Sequence, residues 1–160
     1  AYADQPLNWL VFRGGYGVGK THLAAAAANR IAARGMDVVF VMVSDLLDYL
    51  RATFQPNSAV TYDQRFNEIR RAWLLVLDDM GVHNATPWAR EKLFQILNYR
   101  YVGGLATIIT ISNNDWERLD ARLKSRLEDT SLCTIVDINV PSYRGTPQNP
   151  RPRRSTRKRL

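Results

Sequence analysis

Eight residues near the start of the chain constrain it more than any others: Gly14-Gly15-Tyr16-Gly17-Val18-Gly19-Lys20-Thr21. They fit G-x-x-x-x-G-K-[ST] at every fixed position. The context that gives this pattern meaning is also present. The apolar run Asn8 to Arg13 precedes it as a strand, and an Ala-rich, helix-forming run follows from Gly19 to Arg34, with Gly35 as the stop. Glycines let backbone N–H groups turn inward around phosphates, and a helix N-terminus adds partial positive charge. Lys20 can then reach the β- and γ-phosphates of a nucleotide, and the Thr21 hydroxyl can ligate Mg²⁺.

The strand–helix alternation continues down the chain. Val38 to Val43 is β-branched and continuously apolar, as expected for a parallel strand buried on both faces. Ser44-Asp45 can cap a helix to about Phe54, and Tyr62 to Arg71 reads as a second helix. Trp73 to Leu77 is another apolar strand, closed by Asp78-Asp79. Thr86-Pro87 starts a helix to about Tyr101 with Ala89, Leu93, Ile96 and Leu97 as its apolar stripe, and Gly103-Gly104 stops it. Ala106 to Ile111 is a fourth strand, Arg118 to Leu127 a short helix, and Cys133 to Ile138 a fifth strand. Continuous apolar strands alternating with helices call for a parallel sheet covered on both faces.

At 160 residues the chain is near the size of one domain. Its net charge of +7 is unevenly placed. The first 144 residues hold 16 Lys/Arg and 15 Asp/Glu, whereas residues 145–160 carry Arg151, Arg153, Arg154, Arg157, Lys158 and Arg159 and no acid. A nearly neutral domain at 1–144 is thus followed by a basic tail at 145–160 too poor in apolar residues to order itself. That tail is either a solvated extension or a phosphate-neutralising arm giving salt-dependent nucleic-acid binding. The lone Cys133 excludes an intramolecular disulfide and a Cys-rich zinc site, and His22 and His83 are far apart. No apolar stretch approaches a membrane span of about 18–20 residues, and Ala1 to Pro6 is polar and lacks the charged-then-apolar layout expected of a signal peptide. These features point to a soluble, cytoplasmic protein, and a first residue Ala1 rather than Met suggests a piece of a longer one.

A strand that delivers an acid at its C-terminal end puts it at the ligand-binding rim of an α/β sheet. Asp78 can there hold Mg²⁺ directly or through water, and Asp79 can orient or deprotonate an attacking water. Asp78-Asp79-Met80-Gly81 also reads D-x-x-G, a GTPase pattern, but Asn113-Asn114-Asp115 lacks the lysine of the base-reading N-K-x-D element. A GTPase is disfavoured, and no lid insertion marks a small-molecule kinase. Asn113 can position a water or contact the γ-phosphate, or simply serve a turn. Arg122 and Arg126, four apart on one helix face, are either a solvated face or a source of an arginine finger. His22 reads as a helix-packing residue, Ala24 to Ala28 as close helix-to-sheet packing, and Trp73, Trp88 and Phe94 as core or interface.

Together the segments GGYGVGKTHLAAAAAN, VMVSDLLDYLR, LLVLDDMG, ATIITISNN, ARLKSRL and PSYR, within residues 10–144, resemble an AAA+ ATPase. The likeness is to the clade of DnaC/DnaI-type helicase loaders and IstB-type transposition helpers. It implies a P-loop fold with a five-stranded parallel sheet in the order 5-1-4-3-2, which places Asn113 between the phosphate loop and Asp78. It implies ATP rather than GTP, Asn113 as a sensor residue, and Arg144 near the γ-phosphate. It also implies a ring or spiral of subunits in which Arg126 acts in trans, and a place for His22 in the loop. The helices between strands two and three can line a pore for single-stranded DNA in such proteins. Asp79 stands where many AAA+ proteins have Glu, so turnover is expected to be slow. A C-terminal helical lid and the N-terminal region that grips a partner are expected to be missing. Three functions follow as expectations: an ATPase module of a replicative helicase loader, an ATPase helper of a DNA transposase, or a nucleotide-gated DNA-binding adaptor with little turnover.

Overall fold

The apolar runs become five parallel strands in a computed structural model that describes residues 8–52, 62–81 and 86–144. In chain order the elements are β1 (Trp9–Gly14), α1 (Lys20–Ala32), β2 (Val38–Met42), α2 (Val43–Ala52), α3 (Tyr62–Arg71), β3 (Leu74–Asp78), α4 (Pro87–Val102), β4 (Thr107–Ser112), α5 (Asn113–Glu117), α6 (Ala121–Leu127) and β5 (Cys133–Ile138). The strands lie in the order β2-β3-β4-β1-β5, which is the implied order read from the other edge.

Successive side chains of a strand point to opposite faces, so a continuous apolar run serves two cores at once. Leu10, Phe12, Leu74, Val76 and Ile108 pack on one face against Ala24, Ala28 and Ile31 of α1. Val11, Leu75, Leu77, Ile109 and Ile111 pack on the other, where α2, α4 and α6 contribute Leu46, Leu50, Leu93, Ile96, Leu97, Leu123 and Leu127. Ala24 and Ala28 are buried, as expected of a helix brought close to the sheet by its small residues.

Several expectations need correction. Val38–Met42 is not buried on both faces: as the edge strand β2 it has one neighbour, and Phe40 and Met42 remain about two-fifths exposed. Ser44 does not cap α2, because the helix already begins at buried Val43. Trp73 is exposed, whereas Trp88 and Phe94 do pack against the larger core. The helix expected over Arg118–Leu127 starts later, as α6 at Ala121, and a separate short helix, α5, precedes that span. Ser112 Oγ accepts from the Asp115 N–H at 3.0 Å to start α5, and the Asp120 carboxylate accepts from the Arg122 N–H at 2.9 Å to start α6. Each cap fixes a helix start that the apolar spacing alone did not mark.

The fully buried Arg100 ties the layers together. Its guanidinium donates to Thr107 Oγ1 and to the backbone oxygens of Arg70, Ala72 and Ala106. It thereby pairs carbonyls at the end of α3 and adds a second bond to the Ala106 oxygen, which also accepts from the Leu75 N–H. Burial pushes the Cys133 thiol up to about 12, with Asp129 acting in the same direction, so it stays protonated and inert at neutral pH. Among the described residues no helix is long and apolar enough to cross a membrane. The basic tail lies outside the described residues, as does Phe54 at the expected end of α2.

Candidate functional site

The register brings the functional side chains to one edge of the sheet. β1 pairs with β4 and β5 so that Gly14, Ser112 and Ile138 end level, and Asp78 ends β3 beside Met42 of β2. All five strands being parallel, this is the carboxyl end, where open α/β sheets bind ligands.

From Gly14 the chain turns through a loop into α1. Gly17 and Gly19 take φ of 76° and 98°, the left-handed region that side chains disfavour. A Cβ on Gly17 would also collide with Ser142 Oγ and lie 3.4 Å from Arg144, so glycine is required twice over. The Tyr143 N–H donates to the Gly17 oxygen at 3.0 Å, fastening the segment after β5 onto the loop. Gly19 sits at the N-cap of α1 with no side-chain cap and no acid in the first turn, which leaves the helix's positive end open to an anion. A cleft of about 310 Å³ lies here, lined by Gly17, Val18, Gly19, Lys20, Thr21 and His22 together with Tyr143 and Arg144.

Lys20 Nζ donates to the Gly14 and Gly15 oxygens at 3.0 and 2.7 Å and lies 5.9 Å from the Tyr16 ring centre. Burial holds its ammonium below the ordinary lysine range; Asp79, Asp78 and Asp115 oppose that shift, and Arg144 adds to it. The Thr21 hydroxyl donates to both oxygens of Asp78, at 3.0 and 3.1 Å. His22 is exposed on the cleft and does not pack against the sheet, because the buried face of α1 is Ala24, Ala28 and Ile31. The helix start overhangs the sheet edge, so its first turn meets the cleft instead of the core.

Two residues that the sequence reading passed over hold the acids in place. Thr110 Oγ1 donates to Asp78 Oδ1 at 2.6 Å and accepts from the Asp79 N–H at 2.9 Å. Asp115 is buried, accepts from Ser112 Oγ at 2.5 Å, and would meet a Cβ on Gly81 at 3.4 Å, so it backs the Asp79-Met80-Gly81 turn. Nothing in the run Ala106 to Ile111 marks Thr110, since only the β3–β4 register sets it beside Asp78. Asp115 had a signal, the S-x-x-D capping spacing from Ser112. Replacing Thr110 with Val, nearly isosteric, should destabilise the fold by about 1–3 kcal/mol by stranding the Asp79 N–H and removing one of the two hydrogen bonds to Asp78 Oδ1. Urea unfolding measures this, and Thr110→Ser should recover most of it; a Thr110→Val curve superposing on wild type would show that the bridge is idle.

The remaining residues separate. Asn113 follows β4, which does lie between the loop strand and β3, and is exposed at the first position of α5. Arg144 lines the cleft and is held by its N–H to Ser142 Oγ at 3.2 Å. Arg126 stands apart on α6, bonded to Asn98 of α4 and to the Arg122 oxygen.

A glycine loop with its lysine, a threonine facing an acid at the end of β3, and this strand order together make a P-loop site of the AAA+ type. The family model described as IstB-like ATP binding protein matches residues 1–149. The chain belongs to that family. This IstB-like chain is 31% identical over 146 residues to the replicative helicase loader DnaC of Escherichia coli, covering 88% of this chain and 58% of that protein. It is 32% identical over 152 residues to a putative ATP-binding protein in an insertion sequence of Mycobacterium tuberculosis, covering 86% and 59%. A crystal structure of the DnaC helicase loader superposes on it with a TM-score of 0.74 at 26% identity, covering 86% of this chain and 84% of that one. The IstB-like chain therefore spans just under three-fifths of the length of these curated relatives.

Proposed function

We propose that the IstB-like chain is the ATP-binding and ATP-hydrolysing module of a DNA-replication helicase loader, a nucleotide-dependent switch on DNA and helicase. The observation that carries this reading is a cleft at the open start of α1, lined by Lys20, Thr21 and Arg144, with the Thr21 hydroxyl bonded to Asp78 and the charge of Asp79 felt at Lys20. Gly14 to Gly19 and the first N–H groups of α1 cradle the phosphates, Lys20 bridges the β- and γ-phosphates, and Arg144 approaches the γ-phosphate from the segment after β5. Thr21 and Asp78, a hydroxyl and a carboxylate already in contact, suit a Mg²⁺ ion. Hard oxygen donors match that ion, which takes one or two carboxylates and completes its shell with phosphates and water. When bound, it neutralises charge developing on the phosphates.

Asp79 accepts a proton from the attacking water as its oxygen bonds to the γ-phosphorus and the bond to the ADP oxygen breaks. Asn113 orients that water or the γ-phosphate. Arg126 completes the site of the next subunit in a ring or spiral. Residues 1–144 form this module, and the basic residues 145–160 add an arm for single-stranded DNA. The insertion-sequence relative and the family model favour a second reading, an ATPase helper of a transposase. ATPase rates with no DNA, single strands and duplex separate the two. Stimulation by single strands is expected; stimulation by duplex favours the transposase helper. Bound ATP with no turnover under any condition would sink both in favour of a DNA-binding adaptor.

A further inference from the structure

Arg122 and Arg126 lie one turn apart on α6 and both stand over the Phe94 ring, Arg122 at 4.1 Å, yet the groups that hold their N–H donors differ in kind. Arg122 is neutralised: its guanidinium is 3.2 Å from the Asp120 carboxylate and 3.6 Å from that of Glu91. Arg126 is held by neutral groups. Nε and Nη2 donate to the side-chain oxygen of Asn98 at 3.1 and 2.7 Å, and Nη1 donates to the Arg122 oxygen at 2.8 Å. Its Cζ stands 4.8 Å over the Phe94 ring and 5.5 Å over that of Tyr101. Among the described residues no carboxylate pairs with it.

We infer that Asn98, with the Phe94 ring beneath it, positions the Arg126 guanidinium for a neighbouring subunit's nucleotide without cancelling its charge. The inference rests on the proposed trans role of Arg126. A long arginine side chain loses considerable rotamer entropy when it must meet a phosphate from another subunit. An amide acceptor and a ring face fix it beforehand. A guanidinium has five N–H donors; with three directed at Asn98 and Arg122, two remain for phosphate oxygens. An acid at position 98 would hold the arginine harder but neutralise it, as Asp120 and Glu91 do for Arg122. That contrast assigns the finger to Arg126 where spacing alone left the two arginines equivalent.

The test is steady-state ATP hydrolysis by the full chain, at concentrations that saturate assembly, for Asn98→Leu, Asn98→Asp, Arg126→Ala and the Asn98→Leu/Arg126→Ala pair. Asn98→Leu should lower kcat by about tenfold or more with KM for ATP unchanged, since a misplacement near 1 Å can cost about a hundredfold. Asn98→Asp should lower kcat too, despite its stronger hold, and the double variant should match Arg126→Ala alone. Wild-type kcat in Asn98→Leu, or a further loss from Asn98→Leu in the Arg126→Ala background, overturns the inference and leaves Asn98 structural. Should Asn98→Leu fail to fold in a thermal melt, Asn98→Ser carries the same comparison. If Arg126→Ala itself keeps full kcat, the trans reading of Arg126 falls and this inference with it. If Arg126→Ala loses activity and Asn98→Leu does not, only the role of Asn98 falls.

Discussion

Lys20→Ala is expected to weaken ATP binding by about two to four orders of magnitude while the chain stays folded. Two hydrogen bonds from the ammonium to phosphate oxygens, each worth about 1.5–3 kcal/mol because both partners are charged, account for that range at about 1.4 kcal/mol per tenfold. In the structure Nζ reaches only the Gly14 and Gly15 carbonyls, so its removal loosens the loop and leaves both cores untouched. Calorimetric titration with ATP gives the affinity, and a thermal melt checks the fold. A pH dependence follows from the same side chain. Burial keeps the Lys20 ammonium below the ordinary lysine range, although three carboxylates oppose this. Raising the pH through that lowered range removes the charge, so wild-type affinity should fall on the alkaline side and Lys20→Ala should lack that limb. Equal affinity in the two proteins would defeat the phosphate-loop assignment.

Asp79→Asn should separate binding from chemistry. Asp79 has φ of 54°, in the left-handed region that Asn tolerates as well as Asp, and its own N–H is fixed by Thr110 Oγ1. The substitution therefore keeps the backbone, the size of the side chain and the Asp78–Thr21 contact. It removes the group that accepts a proton, a contribution of about 10²–10⁴ in rate for general bases. We expect ATP affinity within about threefold of wild type, judged against the tenfold that 1.4 kcal/mol represents, and kcat lower by at least about a hundredfold. Single-turnover measurements with saturating enzyme read the chemical step directly. Undiminished turnover would remove Asp79 as the general base.

Much of this architecture was legible in the chain. The glycine loop, β1, β3 with its terminal acid, the Thr86-Pro87 start of α4 and β5 all stand where residue patterns placed them, because each is specified by neighbours a few positions away. The misses share a cause. Val38–Met42 has the composition of a central strand and ends up at the edge. Thr110 is one of two threonines in β4, with Thr107, yet it alone meets Asp78. His22 follows Thr21 into a helix but turns to the cleft because the sheet ends beneath it.

By itself, then, the sequence determined the parallel α/β class, the phosphate loop and the acid pair that follows β3. These are contiguous motifs whose backbone and side-chain demands are met locally, whatever the rest of the chain does. Only the tertiary structure decided which strands have two neighbours, that Thr110 and Asp115 stand behind the acids, that Arg144 closes on Gly17, and that Arg126 is held by a neutral amide while Arg122 is neutralised. Each of these joins residues far apart in the chain, so it depends on strand order and register. Strand order and register are set by how the two cores pack, a property no short window of residues contains.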